Sequence, residues 1–151
     1  MNRNPFLRVS PFVLFAVMSL SSVIAYGQED KPYTEGTIWN VTMIRVKAGM
    51  FDTYMRDVLP LRKKLDEEAK KQGLLLSSHV LSGNASNRDD FDVLILAEYK
   101  NWAALDGLTA KYDAMVSKLI GTQEKQVQLM TKRTDIREIL GDKNMQELII
   151  K

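Results

Sequence analysis

A change in hydrophobic period between residues 37 and 72 limits the folds open to this chain more than any other feature. Residues 37–47, TIWNVTMIRVK, alternate in side-chain type and are rich in β-branched and aromatic residues, which predicts a strand. After Gly49 the apolar residues recur every three or four positions as far as Ala69, which predicts a helix with one apolar stripe, interrupted near Pro60. A strand followed at once by such a helix requires a sheet for the helix to cover.

The remaining predicted elements complete a βαββαβ order. Residues 74–82 and 91–100 predict two strands, and the turn-forming stretch GNASNRDD between them predicts an antiparallel hairpin. Asn101 is a suitable N-cap for a helix that ends at Gly121, a further helical segment covers about 123–140, and MQELIIK predicts a last strand. This order predicts an α+β, ferredoxin-like fold, in which a four-stranded antiparallel sheet carries its helices on one face.

The other face of that sheet is also predicted to be apolar. Neither LLLSSHVLS nor FDVLILAEYK alternates cleanly, so both faces of these strands carry apolar side chains. An apolar face left in water usually marks an interface. We therefore expect a symmetric homodimer through the open sheet face, in which two sheets pack together as a dimeric α/β barrel.

The first 27 residues have the order of a secretory signal peptide. Arg3 and Arg8 precede the apolar stretch PFVLFAVMSLSSVIA, and the small residues Ala25 and Gly27 stand where a signal peptidase recognises its substrate. The apolar stretch is too short and too rich in serine to span a bilayer comfortably. We therefore predict export to the periplasm or the extracellular medium, with an uncleaved amphipathic anchor as the alternative.

These features divide the chain into a signal peptide (1–27), a flexible tether (28–36) and one folded domain (37–151). Cleavage removes two arginines and no acid from 21 basic and 19 acidic residues, so the mature chain has 19 of each and is neutral. Neutrality and export argue against a nucleic-acid partner. The chain has no cysteine, which rules out a lipid-modified cysteine, disulfides and thiolate sites, so we expect no stable membrane anchor after cleavage.

Two strand–helix junctions resemble a known group of proteins. AEYKNWAALDGLTAKYDAM and IRVKAGMFDTYM are similar to the second and first strand–helix junctions of the dimeric α/β-barrel superfamily, which includes antibiotic-biosynthesis-type monooxygenases and stress-responsive barrel proteins. Within that superfamily the chain most resembles small exported bacterial members of unassigned function. The resemblance implies the fold and the dimer over residues 37–150, whereas the same barrel hosts several activities and does not by itself carry one.

The single histidine, His79, is the first candidate for chemistry. It lies within a predicted strand and shares a face with Leu75, Ser77 and Leu81. An imidazole there is either a proton acceptor or a polar side chain held in a sheet. One histidine and no cysteine give no metal-ligand set, so we expect no metal site. The resemblance implies that haem-binding members carry their histidine on a helix, so we expect no cofactor.

A ligand-binding cavity is the second candidate. The resemblance implies that cofactor-independent oxygenases of the superfamily hold an aromatic substrate in an apolar cavity, which Trp39, Asn40, His79, Tyr99 and Trp102 would line here. Alternatively, the aromatic residues among them anchor the core or the dimer interface. We predict a homodimer that binds a small hydrophobic ligand or is non-catalytic. The alternative is a cofactor-independent monooxygenase or isomerase acting on a small aromatic substrate, with His79 as the proton acceptor.

Overall fold

The computed structural model describes residues 31–151. The predicted signal peptide (1–27) and the first residues of the predicted tether lie outside this range. The described elements are strand β1 (Tyr33–Val46), helix α1 in three consecutive segments (Phe51–Thr53, Tyr54–Val58 and Leu59–Lys71), strands β2 (Ser77–Ser82) and β3 (Val93–Tyr99), a 3-10 turn (Trp102–Leu105), helices α2 (Leu108–Ile120) and α3 (Gln123–Ile136), and strand β4 (Arg137–Ile150). No helix in the described part of the chain is long and apolar enough to cross a membrane.

The four strands form one sheet in the order β2-β3-β1-β4, and every neighbouring pair is antiparallel. A βαββαβ chain with this strand order has the ferredoxin-like fold, so the predicted fold class is confirmed. The described chain therefore has the ferredoxin-like fold that the resemblance implies.

The core lies between one face of the sheet and the helices. Burial alternates along β3, where Val93, Ile95, Ala97 and Tyr99 are buried and the residues between them are not. This is the period of two expected of a strand with one covered face. The buried side chains of the sheet and the helices form two clusters. The helices contribute Tyr54, Val58, Leu65 and Ala69 from α1, Met115 from α2 and Ile136 from α3.

Helix α1 keeps its direction but widens ahead of Pro60. Residues Tyr54–Val58 form a π-helical turn, in which the amide of Leu59 donates to the carbonyl of Tyr54. Proline has no amide hydrogen and crowds the preceding turn, so the wider turn accommodates it. Tyr54 and Val58 both remain buried, which keeps the first half of the helix on the core.

The predicted element boundaries near both ends of the domain differ from the observed ones. Strand β1 begins at Tyr33, which pairs with Ile150, so the second half of the predicted tether is strand. Helix α3 ends at Ile136 and β4 begins at the next residue, whereas the sequence predicted helix to about residue 140 and a strand only from Met145. The long β1 pairs with all of β4, and these main-chain bonds outweigh the weak local pattern.

The junction between α3 and β4 contains no loop. The carbonyl of Ile136, the last residue of α3, accepts a 2.9 Å hydrogen bond from the amide of Lys47, and Arg137 pairs with Val46. Further along, a bulge places Leu140 between Ile139, which pairs with Ile44, and Gly141. The bulge changes which side chains of β4 face the helices.

Candidate functional site

A cleft of about 390 Å³ opens between the helix-covered face of the sheet and all three helices. Its volume lies within the range of small-molecule sites. Strands β1, β3 and β4 form its floor. Its apolar lining includes Val58, Leu65, Ile95 and Leu108, and its polar lining includes Asn40, Thr42, Arg62, Asp66, Arg133, Arg137 and Asp142, with three tyrosines, Tyr54, Tyr99 and Tyr112.

A buried ion pair on α1 forms one wall of the cleft. Arg62 Nε donates to Asp66 Oδ1 at 2.7 Å, and the two residues are one helical turn apart. Asp66 is only 5% exposed although it carries a carboxylate. Burial of a charge is costly unless it is paired, so Arg62 is what allows Asp66 to lie in this wall.

Two neighbouring tyrosines line the cleft, Tyr99 at the end of β3 and Tyr112 on α2. Burial raises the pKa of Tyr99, and the neighbouring Tyr112 hydroxyl acts against that rise. Burial also raises the pKa of Tyr112, and the Tyr99 hydroxyl raises it further. Both side chains are therefore neutral phenols at physiological pH, able to donate and accept hydrogen bonds.

The sheet contributes a network of short side-chain hydrogen bonds. Asn40 Nδ2 donates to Asp142 Oδ1 at 2.7 Å and to Asn144 Oδ1 at 3.1 Å. Thr42 Oγ1 donates to Asp142 Oδ2 at 2.6 Å. Both oxygens of the Asp142 carboxylate are thus engaged, and the network fixes the β1–β4 side of the cleft.

Two arginines at the α3–β4 junction form the remaining corner. Arg137 Nη1 donates to Tyr54 Oη at 3.4 Å, and its guanidinium lies 5.7 Å from the centre of the Tyr54 ring. Burial lowers the pKa of Arg133, and the nearby charge of Arg137 lowers it further. Within residues 31–151, neither guanidinium forms an ion pair with a carboxylate.

The five residues predicted to line one cavity are divided between different surfaces. Asn40 and Tyr99 line the cleft. Trp39 and His79 lie on the opposite, open face of the sheet, where their rings stack with centroids 6.1 Å apart. Trp102 is half exposed, and its Nε1 donates to Gln146 Oε1 at 2.5 Å, away from the cleft lining.

The predicted single cavity is therefore not formed within one protomer. The physical reason is the period of the strand, because adjacent residues such as Trp39 and Asn40 point to opposite faces. His79 is exposed and cannot meet a substrate held between Asn40 and Tyr99. The ligand-binding role of Asn40 and Tyr99 and the catalytic role of His79 remain predictions.

The sequence contained one signal for the charged residues of the cleft. In the helical segment predicted at about 123–140, Leu129, Arg133 and Ile136 recur at helical spacing on one side. A charged residue on such an apolar side is unusual. Arg62 and Asp66 gave no comparable signal, because an ion pair at this spacing usually lies on a solvated helix face. Among the described residues, no group of three potential ligands is placed to hold a metal ion.

The open face of the sheet forms a broad apolar surface. Its side chains come from all four strands and are half-buried or exposed: Trp39, Val41, Met43, Leu81, Leu94, Leu96 and Met145. Polar side chains on this face are engaged with each other, since Ser77 Oγ donates to Glu98 Oε2 at 2.5 Å and Arg45 bonds Glu138 at 2.7 Å. None of the three helices packs against this face.

The solved structures that resemble the chain include two proteins of low sequence identity. The crystal structure of HapK from Hahella chejuensis has 11% sequence identity and a TM-score of 0.40, and the match covers 73% of this chain and 91% of HapK. A dimeric ferredoxin-like protein from an uncultured marine organism has 16% identity and a TM-score of 0.46, with coverage of 78% and 98%. No protein-family model and no curated protein sequence matches the chain. The strand order therefore carries the fold assignment.

Proposed function

We propose that this protein binds a small organic molecule in the cleft between the sheet and the helices. The observation that carries the proposal is the convergence of polar groups from α1, α2, α3 and the sheet on one cleft of ligand size. These groups are distant in sequence, and the fold brings them together in the cleft.

The lining indicates a ligand with a ring or another apolar body. Leu65, Ile95 and Leu108 offer apolar contact, and Tyr99 and Tyr112 offer ring faces together with neutral hydroxyls. This agrees with the small hydrophobic ligand predicted from the sequence but adds hydrogen-bonding groups to it. Binding is favoured over histidine-dependent oxygenase or isomerase chemistry, because the chain's one histidine lies on the other face of the sheet.

We also propose that the protein is an exported homodimer. A second copy packed on the open sheet face would cover the apolar surface around Trp39, Val41 and Leu96. At the end of β4, Ile149 and Ile150 are 52% and 74% exposed, and one of these two adjacent strand residues points to the same side as this surface. Export is supported by the signal-peptide pattern of residues 1–27.

Fluorescence titration with N-phenylnaphthylamine, a neutral dye with an apolar ring body, tests the binding function. The wild-type protein is expected to bind it saturably, at one site per chain. Thr109 lies at the exposed edge of the cleft, so Thr109→Trp is expected to fill the cleft and weaken binding at least about tenfold.

Thr131→Trp is the matched control, because Thr131 is exposed on α3 and does not line the cleft. It is expected to leave the dye affinity unchanged. Absence of saturable binding to the wild-type protein, or equal affinity in wild-type protein and Thr109→Trp, would contradict the proposed function.

A further inference from the structure

We propose that the cleft selects an anionic ligand, whose negative group is held by Arg133 and Arg137 at the α3–β4 junction. This inference rests on the proposed binding function and narrows the ligand to a small ring-containing anion, such as an aromatic carboxylate or sulfonate. Three observations support it: the engagement of two of the cleft's three acids by other side chains, the surroundings of the two arginines, and the shape of the lining.

Two of the three acids that line the cleft are engaged by other side chains, and the third, Asp113, is exposed on α2. Arg62 holds Asp66 at 2.7 Å, and Asp142 accepts from Asn40 and Thr42. No carboxylate of residues 31–151 forms an ion pair with Arg133 or Arg137. Among the described residues, these two guanidinium groups therefore have no carboxylate in ion-pair contact, although the lining as a whole has three acids and three arginines.

Without a bound anion, the two unpaired arginine charges cost free energy in this position. They are four residues apart on either side of a junction with no loop, and Arg133 is only partly exposed. Burial lowers the pKa of Arg133, and the nearby charge of Arg137 lowers it further. Lys47 lines the adjoining groove beside both arginines, together with Glu138, whose carboxylate is held by Arg45 at 2.7 Å.

The site is also held in place. Tyr54 is fully buried, and its ring and hydroxyl both contact the Arg137 guanidinium. Guanidinium groups donate hydrogen bonds in a planar fork that matches carboxylate and sulfonate oxygens. The apolar and tyrosine lining continues from this corner, so one molecule with an anionic group and a ring body fits both parts of the cleft.

Two dyes of the same ring skeleton test the inference. Anilinonaphthalene sulfonate carries a negative group, and N-phenylnaphthylamine lacks it. The wild-type protein is expected to bind the anionic dye more tightly than the neutral dye. Arg133→Gln is expected to weaken binding of the anionic dye at least about tenfold more than it weakens binding of the neutral dye.

Lys132→Gln is the matched control, because it removes the same charge from the adjacent residue of α3, whose side chain pairs with Asp57 at 3.5 Å outside the cleft lining. It is expected to leave both affinities unchanged. Circular dichroism and thermal unfolding of each variant show that the fold is retained.

The outcomes separate the two proposals. One outcome is that the neutral dye binds in the cleft while Arg133→Gln lowers the affinity for both dyes equally, or for neither. That result overturns the anion inference and leaves the binding function standing. If Lys132→Gln weakens the anionic dye as much as Arg133→Gln does, the effect is one of net charge and the inference is again overturned. Failure of the neutral dye to bind the wild-type protein counts against the binding function itself.

Discussion

The indole ring of Trp39 stacks on the imidazole ring of His79 across the open face of the sheet, with ring centroids 6.1 Å apart and planes inclined by 30°. Trp39 pairs with Glu98 and His79 with Leu96, so the stacked rings bridge diagonally over β3. The contact fixes the chain's one histidine on the side of the sheet that the helices do not cover. It separates the histidine from the cleft by the thickness of the sheet.

His79→Ala is expected to leave the affinity for N-phenylnaphthylamine within about twofold of wild type, because its side chain faces away from the cleft lining. Fluorescence titration of the purified variant measures this. A loss of about tenfold or more would place the histidine in the binding site and favour the isomerase or oxygenase alternative.

Leu96→Asp is expected to prevent the proposed homodimer from forming and to give a monomer. Leu96 lies in the middle of the open face, between Val41 on β1 and His79 on β2, and a carboxylate buried there in an interface would be unpaired. Sedimentation velocity at micromolar concentration measures the mass. Ala114→Asp, which places the same charge on the exposed side of α2, is the control and is expected to remain dimeric. A monomeric wild-type protein would contradict the proposed dimer.

Ile44→Ala is expected to lower the free energy of unfolding by about 2–5 kcal/mol, since Ile44 is fully buried and its loss leaves a cavity. Its cross-strand partner Ile139 has the same side chain and is 53% exposed. Ile139→Ala is therefore expected to cost less than about 1 kcal/mol. Urea unfolding of both variants gives the comparison, and equal losses would show that the core is not where the structure has it.

The tyrosine pair is expected to make the fold sensitive to alkali. Burial raises the pKa of Tyr99 and of Tyr112 in the folded state, so their contribution to stability is fully present below the unfolded value of about 10 and is lost as the pH rises above it. Urea unfolding between about pH 8 and pH 11 measures the slope. The double variant Tyr99→Phe/Tyr112→Phe is expected to flatten it, and an unchanged slope would contradict the assignment.

Without ligand, Arg133→Gln is expected to stabilise the protein. Removing one of two unpaired like charges four residues apart should gain about 0.2–0.5 kcal/mol, which corresponds to a rise in Tm of about 1–3 °C. Differential scanning calorimetry at low ionic strength measures the shift. Lys132→Gln removes a charge that is paired with Asp57 and is not expected to raise Tm. A lower Tm for Arg133→Gln would show that its charge is compensated.

The fold could be predicted from the sequence wherever apolar residues recur with a clear period. The alternation around Ile44 in β1 and the apolar run of β3 were sufficient to predict two strands of the sheet, because each strand needs one buried face. The start of β4 was missed because residues 137–144 carry charges and a bulge at Leu140, which erase the local period. Their strand state depends on pairing with β1, a long-range effect that local pattern does not contain.

The sequence predicted only part of the candidate site, again because local pattern does not contain long-range packing. Asn40 and Tyr99 were predicted from the resemblance to cofactor-independent oxygenases, which implies an apolar cavity lined by such residues. Asp66 and Arg133 lie in helices rich in charge, and only the tertiary packing distinguishes a buried charged residue from a solvated one. The assignment of Trp39 and Asn40 to one cavity was wrong because one sheet cannot present adjacent residues on the same face.

The direct passage from α3 into β4 has a kinetic consequence. With no loop at Ile136 to absorb displacement, capture of a ligand by Arg133 must also restrain the first hydrogen bonds of the sheet edge. The amide of Lys47, which donates to the Ile136 carbonyl, is therefore expected to exchange its hydrogen with deuterated solvent more slowly when the cleft is occupied. The lifetime of that single backbone proton would report cleft occupancy without any label on the ligand.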